Sequence, residues 1–138
     1  MSQVFASPNP IGRKVLCIED EHFIGELYVR ALTRAGYEVT VEIDGKEGLK
    51  LAKSDSYDII LLDLMIPSMT GVEVLRHLRA EAPKLRSKVI ITTNLEQREE
   101  VRADIEKHAD GYLIKAEITP RELVGILGTL KFDDTAKK

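Results

Sequence analysis

The sequence predicts an α/β domain in which five parallel strands form a doubly wound (βα)5 three-layer sandwich. Three observations lead there. Five short apolar runs alternate with five segments of helical periodicity, the pattern of strand–helix units joined by right-handed crossovers. The third run, Ile59, Ile60, Leu61 and Leu62, is continuously apolar, which is how a central strand covered by helices on both faces reads. That run then drives straight into a carboxylate, Asp63, and breaks at Pro67 and Gly71. A buried strand that ends on a charge places that charge at its carboxyl end, the edge where open α/β sheets bind ligands.

Taken in order, the strands fall at residues 14–18, 38–43, 58–62, 88–92 and 111–114, and the helices at 23–35, 45–54, 71–82, 96–108 and 119–130. In the first helix Ile24, Leu27, Ala31 and Ala35 recur every three or four residues, and Gly36 supplies a left-handed stop. In the fourth, Val101 and Ile105 turn inward beneath a charged, solvated face. The fifth opens with Thr119 as N-cap, Pro120 at the first helical position and Glu122 three residues after the cap, a capping box. Leu123, Ile126, Leu127 and Leu130 give its buried side, while Gly125 and Gly128 each weaken it by about 1 kcal/mol relative to alanine, so its end frays.

A chain of 138 residues that is 43% hydrophobic fills one core and leaves no room for a second domain. Residues 13–132 are the expected folded unit. Residues 1–12, with Pro8 and Pro10, and the polar residues 133–138 read as flexible tails. A net charge of -3 creates no field that would imply nucleic acid or an anionic membrane as partner. The single cysteine, Cys17, sits in the apolar run VLCI, which excludes disulfide scaffolds and cysteine-held metals and favours a reducing compartment. With no apolar window of membrane-spanning length and no signal-peptide core in residues 1–12, the expected location is the cytoplasm.

The chemistry gathers at the strand ends. Strand one ends in Glu19, Asp20 and Glu21, and in a sheet of order 2-1-3-4-5, the flavodoxin-like order, strands one and three are neighbours at the switch point. Carboxylates about 5 Å apart repel by about 3 kcal/mol per pair at an effective dielectric near 20, so Glu19, Asp20 and Asp63 together call for a cation. Hard oxygen donors suit magnesium, which keeps waters and accepts phosphate oxygens. Helix capping would explain Glu21 but not three acids on two strands. Strand four ends in Thr92, Thr93 and Asn94 and strand five in Lys115, adding a hydroxyl and an ammonium that suit a phosphoryl group. Alone, Lys115 would be an ordinary surface lysine. His22, His77 and His108 show no metal-ligand spacing and read as helix-surface residues.

Glu19 and Asp20 after strand one, Asp63 after strand three, Thr93 after strand four and Lys115 after strand five resemble the receiver domain of two-component response regulators. The numbering steps of 30 from Asp63 to Thr93 and 22 from Thr93 to Lys115 are that family's, as is D-x-x-x-P-x-x-x-G from Asp63 through Pro67 to Gly71. The resemblance, chemotaxis-regulator-like in its plan, spans about residues 13 to 130. It implies a phosphorylation-dependent switch and not an enzyme in its own right. Asp63 would accept a phosphoryl group from the phosphohistidine of a sensor histidine kinase or phosphotransfer protein. Asp20, Asp63 and the Met65 backbone carbonyl would hold Mg²⁺, or Mn²⁺ in its place, with Glu19 acting through water. Thr93 and Lys115 would grip the phosphoryl oxygens. Thr93 and Tyr112 would then relay the change to the surface of helix four, strand five and helix five, which faces an unnamed downstream protein and allows a homodimer on phosphorylation.

Two positions depart from the family pattern, and two more bear on phosphate lifetime. Ala116 follows Lys115 where the family has proline and a cis bond, so this bond is either trans or held cis at about 2.5–4 kcal/mol. Asn94 replaces a small residue beside Thr93, which narrows access to Asp63. Met65 and Leu95, two residues past Asp63 and Thr93, are apolar and unable to orient an attacking water, which implies slow loss of phosphate. Other readings fit less well: a haloacid-dehalogenase-like phosphatase needs an aspartate at position 65, a receiver-like module acting without phosphorylation predicts missing acids, and no glycine-rich loop supports nucleotide binding. The sequence is equally that of a stand-alone regulator or of a receiver within a longer protein.

Overall fold

A computed structural model of the chain describes residues 12–94 and 97–132. The tails expected at residues 1–12 and 133–138 thus lie outside the described residues, Gly12 excepted. The elements run β1 (Lys14–Ile18), α1 (His22–Arg34), β2 (Glu38–Glu42), α2 (Gly45–Lys53), β3 (Ile59–Asp63), α3 (Gly71–Glu81), β4 (Lys88–Thr93), α4 (Glu99–His108), β5 (Gly111–Ile114) and α5 (Pro120–Gly128), with a single 3₁₀ turn at Lys115–Glu117 before α5. The sheet is fully parallel in the order β2-β1-β3-β4-β5, as the alternating pattern predicts. Register pairs Ile18 with Leu62 and Asp63 with Thr92, which sets the ends of β1, β3 and β4 side by side.

Strand alternation divides the interior into two apolar layers. Leu16, Ile18, Ile60, Leu62, Val89 and Ile91 point towards α2, α3 and α4, while Val15, Cys17, Ile59, Leu61 and Ile90 point towards α1 and α5. Every residue of β3 is buried, so its side chains are apolar on both faces until Asp63. Burial pushes the Cys17 thiol up to about 12, with the nearby Glu19 charge adding to the rise, and leaves it an inert core residue.

Boundaries differ from the sequence reading by one to three residues where caps or packing decide them. Asp44 caps α2 through Glu47 N–H, and Thr70 with Glu73 forms a capping box for α3 that the apolar pattern alone did not reveal. The expected box at Thr119 and Glu122 is present, and α5 stops at Gly128, two residues short of position 130, where its second glycine lies. Helix α4 starts at Glu99, and Glu96, the expected start, lies outside the described residues. In α1 the buried line runs through Gly25, Tyr28 and Leu32, with Ile24, Leu27, Ala31 and Ala35 half-buried at its flanks. The predicted stripe is therefore rotated: spacing found the periodicity, but the bulk of Tyr28 and the smallness of Gly25 set the orientation on the sheet.

The loop after β3 is fixed by close backbone approach. A Cβ on Gly71 would lie 2.3 Å from the Asp63 carbonyl oxygen, and its own N–H donates to the Leu64 carbonyl. Farther along, Gly45 N–H donates to the Pro67 carbonyl and Ser68 Oγ accepts from Lys46 N–H, which pins the loop to the start of α2. Replacing Gly71 by alanine is expected to destabilise the fold by about 1–3 kcal/mol, because backbone must shift to admit the methyl group. Urea denaturation at unchanged m-value measures it; a midpoint equal to wild type would show that the loop relaxes freely.

Candidate functional site

Four side chains converge where β1, β3 and β5 end. Glu19, Asp63 and Lys115 are buried, at 2%, 2% and 7% exposure, while Asp20 faces solvent. Three charged groups this deep would each cost several kcal/mol if unpaired, so their mutual geometry decides whether the fold survives. Lys115 Nζ lies 2.6 Å from Glu19 Oε1, 2.9 Å from Asp63 Oδ2 and 3.7 Å from Glu21 Oε1. Desolvation alone would lower the Lys115 pKa, but its close ion pairs with Glu19 and Asp63 win, and the ammonium is held above its ordinary range. Burial first, and the Asp63 charge second, raise the Glu19 carboxyl against the opposing pull of Lys115. One ammonium therefore holds two buried acids together without fully satisfying either.

The remaining lone pairs are partly filled by backbone. Asp63 Oδ1 accepts from Met65 N–H at 3.2 Å, and Glu19 Oε2 accepts from Glu21 N–H at the same distance. Glu19 Oε1 is close to Lys115 but badly angled for a hydrogen bond, which leaves it a buried oxygen short of a directed donor. One carboxylate oxygen from each of Glu19, Asp20 and Asp63 lies within 4.8 Å of the others. An all-oxygen set with an under-satisfied member fits a hard divalent cation such as magnesium.

The structure also locates the other residues singled out from the sequence. Thr93 is buried at the end of β4, and Tyr112 is half-buried on β5, its ring 4.8 Å beneath the Arg102 guanidinium. Met65 exposes its side chain at 73%, leaving an apolar group beside the site. Asn94 Nδ2 donates to Glu21 Oε1 at 3.3 Å across the mouth of the pocket. Glu21 occupies the N-cap position of α1 but makes no capping bond there, so its carboxylate belongs to the pocket. The Lys115–Ala116 bond is trans, which settles the two alternatives left by the missing proline, and Ala116 continues into the 3₁₀ turn. Leu95 lies outside the described residues.

Sequence reasoning passed over Gln97, whose backbone N–H donates to the Tyr112 hydroxyl at 3.2 Å and whose amide reaches Thr93 Oγ1 at 3.5 Å. Nothing in its polar surroundings singles it out; only its place four residues after Thr93 hints at it.

A parallel sheet of this order with an acid cluster, a lysine and a threonine at its carboxyl edge defines a class, and the comparisons agree on it. Residues 15–127 match the family model described as "Response regulator receiver domain", and the chain belongs to that family. Response regulator ArlR of Staphylococcus saprophyticus is 37% identical over 102 residues, covering 74% of this chain and 45% of that protein. The chain thus spans less than half the length of that relative. Among solved structures, the receiver domain of the Francisella response regulator 1452 superposes with a TM-score of 0.73 at 31% identity, covering 85% of this chain and 97% of that one. The receiver domain of sensor histidine kinase PA1611 from Pseudomonas aeruginosa, with a magnesium ion coordinated in its active site cleft, gives 0.73 at 28% identity, covering 84% and 94%. No described helix is long and apolar enough to cross a membrane.

Magnesium at about ten times its Kd is expected to stabilise the protein by about 1.4 kcal/mol, a rise in Tm of about 5 °C for a domain of this size. Asp20→Ala should abolish the rise in differential scanning calorimetry. A full shift in that variant would remove Asp20 from the cation site.

Proposed function

We propose that residues 13–132 form a phosphorylation-operated signalling switch in which Asp63 is the phosphoacceptor. The observation that carries this reading is the buried Asp63 carboxylate, with one oxygen against Lys115 Nζ and the other against Met65 N–H, beside two further acids at the sheet's carboxyl edge. These contacts orient the carboxylate before any donor arrives, which is the entropic part of catalysis. A carboxylate oxygen attacks the phosphorus of a phosphohistidine on a sensor histidine kinase or phosphotransfer protein. The O–P bond forms as the N–P bond breaks, and the imidazole leaves with the bonding electron pair.

Asp20, Asp63 and the Met65 carbonyl are the groups that would hold magnesium or manganese, with Glu19 acting through water. When bound, the cation neutralises the negative charge that builds on the phosphoryl oxygens. Lys115 pairs with one of those oxygens as its hold on Asp63 loosens, and Thr93 donates its hydroxyl to another. Movement of Thr93 and Tyr112 carries the change to the surface of α4, β5 and α5, where a downstream protein or a second copy docks. To take such a switch from 1:99 to 99:1 requires about 5.5 kcal/mol of differential stabilisation, a scale that a few charge-assisted bonds supply. The reduced, buried Cys17 and the kinase partner both suit the cytoplasm.

Incubation with acetyl phosphate and Mg²⁺ is expected to add one base-labile phosphoryl group, read as a mass shift, and Asp63→Asn to add none. Full labelling of the Asn variant would refute the assignment, and an unlabelled wild type would favour a module that binds partners without phosphorylation. Because Met65 places an apolar group where a water would need orienting, the labelled protein should keep its phosphate for minutes or longer at neutral pH. Decay within seconds, followed by loss of the same mass shift, would contradict that role for Met65.

A further inference from the structure

Gln97 stands between the two residues that the switch reading sets in motion. Its backbone N–H donates to the Tyr112 hydroxyl at 3.2 Å, and its side-chain Nε2 donates to Thr93 Oγ1 at 3.5 Å. Thr93 closes β4, Tyr112 lies on the neighbouring β5, and Gln97 precedes α4, so one residue ties two strands to the helix that follows. Arg102, one turn into α4, covers the Tyr112 ring from the same helix. The side of Tyr112 that meets α4 is therefore held twice, by a hydrogen bond at its hydroxyl and a cation over its face.

We propose that Gln97 is a positioning residue that holds Thr93 and Tyr112 in their unphosphorylated arrangement and so sets how readily this domain switches. The inference rests on the phosphoacceptor reading of Asp63. In the structure the Thr93 oxygen accepts from the Gln97 amide, a contact that in this proposal is lost when the threonine shifts to donate to a phosphoryl group on Asp63. The amide bond thus stabilises one of two states. An interaction made in one state alone shifts the population by its own free energy, whereas one made equally in both shifts nothing. Because the same residue's N–H caps the Tyr112 hydroxyl, a Gln97 released from Thr93 also loosens the tyrosine. Side chain and backbone then act in sequence: the amide reports on the pocket, and the N–H reports to the surface.

The test uses the whole chain labelled with 3-fluorotyrosine. Four tyrosines give four ¹⁹F signals, and Tyr112→Phe assigns the one of interest. Beryllium fluoride with Mg²⁺ serves as the phosphoryl mimic, and the Tyr112 signal is followed to saturation. Gln97→Met keeps length but removes the amide, Gln97→Ala removes the side chain, and both leave the backbone N–H in place. Both are expected to lower the half-saturating concentration of mimic by about twofold, the low end of the net worth of a neutral hydrogen bond, since this one is 3.5 Å long. In a Thr93→Ala background the same Gln97 changes should have no effect, which a merely structural role would not produce. Midpoints equal to wild type, or an undiminished factor without the threonine hydroxyl, would overturn the role of Gln97 while leaving the switch intact. A wild type whose Tyr112 signal never moves would sink the switch reading and this inference with it.

Discussion

The ion triad of Glu19, Lys115 and Asp63 is the constraint around which the rest of the structure is arranged. A buried ammonium is tolerable only where carboxylates face it, and two buried carboxylates only where a cation divides them. The backbone supplies that meeting by bringing the ends of β1, β3 and β5 to one edge, with Asp63 paired to Thr92 in register and Ile18 to Leu62. Fully buried β3, with the largely buried β1 and β4 on either side of it, holds those ends still. The core is thus what makes the charge cluster affordable, and the charge cluster is what the core positions.

One positive charge against two buried acids, with Asp20 close by and Glu21 3.7 Å from the same ammonium, leaves the pocket with an excess of negative charge. Such a site is incomplete in a chemically useful way. In the proposed switch, acids that outnumber the lysine would draw a divalent cation, and two acids sharing Lys115 would let it pass to a phosphoryl oxygen. A fully compensated cluster would be more stable and less reactive. The buried Glu19 oxygen without a well-directed donor is the local mark of that imbalance.

Much of this architecture was legible in the chain because it rests on short-range rules. The apolar run from Ile59 to Leu62 ending on Asp63 could belong only to a central strand, and the strand order then brings Glu19, Asp20 and Lys115 to the same edge. Thr119 with Glu122 announces α5 through its own capping chemistry. What escaped depends on three-dimensional fit. The facing of α1 turns on how Tyr28 packs beside Gly25, which spacing does not encode. Gln97 gained its place from a loop path, and a polar residue in a polar loop carries no periodic signal.

Glu21 shows how position and side-chain direction separate. As the N-cap residue of α1 it invites a capping role, yet the helix takes no bond from its side chain. Its carboxylate instead meets Asn94 at 3.3 Å and stands 3.7 Å from Lys115, joining the loop after β4 to the acid edge of β1. A helix terminus with its N–H groups left to water loses about 1 kcal/mol of capping stability. That loss is borne at α1, whose start borders the pocket, and also at α4, where Arg98 makes no side-chain cap, while α2, α3 and α5 are capped by side chains. At α1 the side chain in the capping position meets Asn94 and Lys115 instead, while the capped starts of α2, α3 and α5 take no part in the triad.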